Sequence, residues 1–182
     1  VVVAFLSILW HELGHGIMIR KFGGNPRITL HGFGGLCSAE GYYPKKQSIM
    51  ISAAGPAAGL IIGILALVLV EAKIIPLKGA PLFLQATMSY IIWINLVWSI
   101  VNLFPIYPLD GGQIFQAITG DSRKTALVGA ISGFGLAVAG LLFLGRGGGL
   151  YVGLLFGFLA YQNLRQYQGG PSVGLGAFGA ER

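Results

Sequence analysis

Residues Ser48–Val70 contain no acidic or basic side chain, and nearly every position is apolar. An uncharged apolar run of about 18 residues or more is long enough to cross a bilayer as a helix. Leu82–Phe104 is as long, with Gln85, Asn95 and Asn102 as its polar members. Thr125–Leu144 is a third such run and Gly148–Leu164 a shorter fourth. Val1–Phe22 is a fifth if the ionisable residues inside it are accepted. The composition agrees: the 182 residues are 54% hydrophobic and only 10% charged, where a soluble domain carries about a quarter charged residues. The expected fold class is an all-α polytopic membrane protein with about five transmembrane helices, which leaves little chain for a soluble domain.

The basic residues then give an orientation. If Val1–Phe22 ends on side A and the chain alternates, side A collects Arg20, Lys21, Arg27, Lys45, Lys46, Arg123, Lys124, Arg165 and Arg182, and side B only Lys73, Lys78 and Arg146. Side A is therefore expected to be cytoplasmic. The net charge of +6 does not point to nucleic acid, because the positive residues fall in loops with no basic stripe of interleaved aromatics. Val1–Trp10 lacks a basic n-region and a small-residue cleavage site, so it reads as part of a span rather than a secretory leader. The single cysteine, Cys37, excludes an intrachain disulfide.

Gly23–Lys46 is the longest connection on side A, and its β-leaning runs around a glycine cluster read as a hairpin or a re-entrant loop. Gly55, Gly59 and Gly63 recur at four-residue spacing in the second span, a stripe that lets another backbone come close. Gly129, Gly133 and Gly140 repeat the theme in the fourth. Residues 168–182 are glycine-rich without periodicity and read as a flexible tail.

Within the first span stands "WHELGHG". Residues four apart share a helix face, so His11 and His15 can both direct a nitrogen at one metal ion. Glu12 lies about 100° round from His11, near enough to take a proton from water without being a ligand. This is the H-E-x-x-H arrangement of zinc hydrolases. Two histidines hydrogen-bonded inside a bundle are the plainer alternative. Three ionisable groups within one turn of a membrane span need compensation, however, and a divalent cation supplies it.

A catalytic zinc also needs a third protein ligand. Glu71, Glu181, Glu40 and Asp121 fall at the far end of a span, in the tail or among loop residues. Asp110 differs, following "NLFPIYPL" and preceding two glycines that permit close backbone approach. It could instead N-cap a short helix through Ala117, with Gln113 completing a capping box. His31 is a further loop candidate.

HELGH in a first core span, joined to N-x-x-P-x-x-P-L-D-G-G at the end of a third, resembles the site-2 protease family of intramembrane zinc metalloproteases. The resemblance covers roughly 1–117, including "AAGP" at the start of the second span, and is closest to the small bacterial and archaeal members. It implies one zinc per chain held by His11, His15 and Asp110, with Glu12 as general base. Asn102 matches the motif asparagine, which the resemblance implies binds substrate or stabilises the oxyanion; an interhelical hydrogen bond is the alternative. Many members carry an asparagine three residues after Gly-Pro, whereas Gly55-Pro56 here leads to Gly59.

The resemblance further implies a transmembrane protein substrate, regulated intramembrane proteolysis, a multi-pass protein of a prokaryotic cell membrane and an active site toward the cytoplasm. Related proteases have a membrane-associated β-hairpin after the first span. Here that places a substrate-binding edge at Gly32, Phe33, Gly34 and Gly35. The metalloprotease domain is expected over 1–167, with its core in 1–119 and no room for a PDZ or CBS domain. Two rivals use the same residues: a metal transporter, and an inactive membrane scaffold. A transporter needs several sites along a path, and a scaffold has no need of Glu12.

Overall fold

The computed structural model describes residues 1–31 and 34–170. The described chain forms α1 (Val2–Lys21), β1 (Pro26–His31), β2 (Gly34–Ala39), α2 (Lys45–Glu71), α3 (Leu82–Asn102), α4 (Asp110–Thr119), α5 (Ser122–Phe143) and α6 (Gly145–Tyr167). Four of these helices, α1, α2, α3 and α5, are long and apolar enough to cross a membrane. The fifth expected span is also helical, as α6. Its glycines and its polar residues Gln162, Asn163 and Arg165 keep it outside that group. Gly32, Phe33 and the tail from 171 onward, to which a substrate edge and a flexible segment were assigned, lie outside the described residues.

Residues 1–43 and 50–102 form one compact unit. Its helices meet through small and polar residues rather than large apolar ones. A Cβ on Gly14 would strike the Ala54 carbonyl, and one on Gly59 would strike the Ser99 hydroxyl. Gly63 makes the same room for Leu96. Hydrogen bonds cross the same seams: Trp10 Nε1 donates to the Ala58 carbonyl at 3.1 Å and Asn95 Nδ2 to Ser7 Oγ at 2.9 Å. Lipid tails are as apolar as leucine, so close van der Waals contact and such hydrogen bonds drive helix association in a bilayer. Accordingly Ile61, Ile64, Leu65 and Val68 of α2 face outward while Ser52, Ser99 and Asn95 are buried.

β1 and β2 form an antiparallel hairpin in the register Pro26↔Ala39 to His31↔Gly34. The hairpin expected after the first span is therefore present, packed on α1. Ile19, Cys37, Tyr43 and Ile51 join beneath it in one buried cluster, with Ile28 and Ala39 against it.

Residues 44–49 and 103–170 belong to the second unit. α5 and α6 pack closely along their length, because Gly129, Gly133 and Gly140 leave room for Asn163, Ala160 and Val152. The Arg123 guanidinium lies 4.9 Å from the centre of the Tyr167 ring. Asp121 N-caps α5, accepting from the backbone N–H groups of Arg123 and Lys124.

Candidate metal centre

One face of α1 buries His11, Glu12, His15, Gly16 and Ile19, the repeat of a single helical stripe. His15 Nδ1 lies 2.7 Å from the Ile51 carbonyl of α2. A carbonyl can only accept, so Nδ1 carries the hydrogen and neutral His15 presents a bare Nε2 lone pair. This second partner orients the ring and fixes the tautomer that a metal needs. The Nε2 atoms of His15 and His11 stand 3.2 Å apart. Gly55 makes the arrangement possible, because a Cβ there would meet His15 Nε2 and Cε1 and approach His11 Nε2.

Glu12 is 6% exposed. β2 runs close beside it, and a Cβ on Gly35 would meet its Cγ and its carboxylate. Burial, with the charge of Glu12 as a second cause, pushes the Cys37 thiol up to about 12. Of the substrate edge expected from the sequence, Gly35 thus adjoins the candidate base, and Gly34 pairs with His31 in the register.

Asp110 is the first residue of α4 and is buried. Leu109, rather than Asp110, occupies the N-cap position of this helix. Gln113 Nε2 donates to the Pro108 carbonyl at 3.5 Å. Two glycines after Asp110 let the helix start tight against the preceding loop. A Cβ on Gly111 would collide with the Leu103 and Phe104 carbonyls, and one on Gly112 with the backbone of Ile106. His11, His15 and Asp110 form a group able to hold a metal ion, their ligand atoms all lying within 4.8 Å of one another. Two imidazoles and a carboxylate match the three-ligand donor set of a catalytic zinc, which keeps its fourth position open.

The profile of peptidase family M50 matches residues 78–145. The chain is 33% identical over 146 residues to a zinc metalloprotease of Methanocaldococcus jannaschii, covering 78% of this chain and 41% of that protein. These matches make it similar to the M50, or site-2 protease, family. Stage IV sporulation protein FB of Bacillus subtilis is 34% identical over 112 residues, which is 60% of this chain and 36% of that one. The solved site-2 protease from Methanocaldococcus jannaschii matches with a TM-score of 0.61 and 29% identity, over 91% of this chain and 76% of that one. The chain thus spans less than half the length of these curated relatives. Four helices long and apolar enough to cross a membrane, together with this similarity, support an integral, multi-pass membrane protein.

Asn102 is buried at the end of α3, and its Nδ2 donates to the Trp98 carbonyl of its own helix at 2.9 Å. Three contributors lie outside the HELGH and N-x-x-P-x-x-P-L-D-G-G motifs: the Ile51 carbonyl, the space at Gly55 and the neighbour at Gly35. Gly55 stands in "AAGP" and in the four-residue glycine stripe, a spacing that by itself points to helix packing rather than to a metal site.

Proposed function

We propose that this chain is the membrane domain of a zinc metalloprotease, over 1–167, that hydrolyses peptide bonds in or near transmembrane segments of other proteins. The observation that carries the reading is the gathering of His11, His15 and Asp110 donor atoms beside a buried Glu12. His11 and His15 would hold zinc through Nε2 and Asp110 through its carboxylate. When bound, zinc supplies Lewis-acid polarisation of the scissile carbonyl and acidifies water at its open position. Glu12 takes the proton of the attacking water and returns it to the leaving amine. The second Nδ2 hydrogen of Asn102, beyond the one given to Trp98, donates to the developing oxyanion.

A transmembrane substrate must unwind for its carbonyl to be attacked, and unpaired backbone groups near hydrocarbon cost several kcal/mol each. The hairpin edge supplies partners irrespective of side chain, as in β-strand addition. Its position beside Glu12 supports this role. The excess of basic residues on the loops of the HELGH side supports an active site toward the cytoplasm of a prokaryotic cell, and the reaction class is regulated intramembrane proteolysis. Purified protein should cleave members of a panel of transmembrane peptides, and a zinc chelator should stop it. Cleavage that persists in the chelator would reject the reading.

A further inference from the structure

Asn163 of α6 is 1% exposed, and its polar atoms are all engaged. Its Nδ2 donates to the Tyr107 carbonyl at 2.7 Å and to the Leu159 carbonyl at 2.8 Å. Its Oδ1 accepts from the Tyr107 N–H at 3.2 Å. One amide side chain therefore holds both backbone groups of one loop residue, which fixes that residue in place and in rotation. Gly129 of α5 backs the clamp, since a Cβ there would meet Asn163 Oδ1 and Cγ.

Tyr107 stands three residues before Asp110, and the intervening turn is tied at each step. Ile106 N–H donates to the Phe104 carbonyl at 2.7 Å, Leu109 N–H to Ile106 at 2.8 Å and Gly112 N–H to Leu109 at 3.0 Å. Ile106 itself is fully buried. A shift at Tyr107 is thus passed into the first turn of α4, where Asp110 begins.

We propose that Asn163 is a positioning residue for the metal centre: by holding the Tyr107 backbone it sets where the Asp110 carboxylate stands. Helices α5 and α6, which carry neither motif, then help to determine metal affinity. This rests on Asp110 being a zinc ligand. Partners that orient a ligand without touching the metal are typically worth 10–100-fold in affinity. The competing role for Asn163 is simply to fasten α6 to the loop.

The test measures zinc affinity by chelator competition, and thermal unfolding without zinc, on the full chain. Asn163→Ala should weaken zinc by about tenfold or more. Gly129→Ala should do the same from the other helix, and it carries the test if Asn163→Ala does not fold. Asn163→Asp keeps the acceptor for Tyr107 N–H but loses both donated bonds, so its loss should be intermediate. Gly133→Ala crowds Ala160 in the same helix pair without touching the clamp; it should lower the unfolding temperature and leave zinc affinity nearly unchanged. The proposal falls if Asn163→Ala and Gly129→Ala bind zinc normally while Asp110→Ala binds it weakly. It falls equally if Gly133→Ala weakens zinc as much as they do. Normal binding by Asp110→Ala would remove the aspartate as a ligand, and the clamp's purpose with it.

Discussion

In the proposed mechanism hydrolysis turns on Glu12, because the amide of Glu12→Gln cannot accept the water's proton. That variant should keep its zinc and lose cleavage; near-normal turnover, read on a transmembrane peptide, would refute the assigned base. Two glycines separate metal binding from chemistry. Gly55→Ala places a methyl against the Nε2 atoms of His15 and His11, and should lose zinc although alanine favours the helix by about 1 kcal/mol. Gly35→Ala places one against the Glu12 carboxylate, and should retain zinc while cleavage falls. Metal analysis beside a peptide assay distinguishes them, and equal zinc loss in both would contradict the assignment. The legibility of these residues differs for a physical reason. His11, Glu12 and His15 stand out because ionisable groups are costly in an apolar span. The Ile51 carbonyl that orients His15 has no letter of its own, and a glycine looks alike whether it faces a helix or a ligand.

Among the elements, the hairpin carries the most testable expectation. Proline placed singly at Thr29, Leu30 or Leu36 removes one N–H at a time. If an edge pairs with substrate, at least one of these variants should lose cleavage sharply while zinc content holds; uniformly mild effects would leave the hairpin as a connector. α5 offers a pH test. The N–H of Lys124, then that of Arg123, hold the Asp121 carboxyl below its usual range of about 3.8. Its stabilising contribution is therefore present at neutral pH and lost as pH falls through that lowered value. Asp121→Ala should melt lower than wild type at pH 7, and the difference should vanish in strong acid. A difference independent of pH would exclude the carboxylate as the cause. The elements were legible where composition is extreme: the runs around 48–70 and 82–104 became α2 and α3. α6 was harder to read as a span, since the Asn163 that serves the Tyr107 loop also lowers its hydropathy.

For the whole molecule, nine basic residues against three on the two sets of loops set the expected orientation. In intact cells an impermeant thiol reagent should modify Lys78→Cys and spare Lys46→Cys; labelling of Lys46→Cys would invert the topology. Native Cys37 does not confuse this test. It is 3% exposed with its thiol pushed up to about 12, and the thiolate is the reactive form.

The outward leucines, isoleucines and phenylalanines of α2, α5 and α6 meet a liquid with no shape of its own. Any lipophilic side chain satisfies such a neighbour, so that coat stores almost no information about the fold. The seams store nearly all of it, in residues as small as Gly59, Gly63 and Gly133. A library that shuffles the outer face among apolar residues should therefore yield mostly working proteins, while adding one methyl group along a seam should rarely be forgiven.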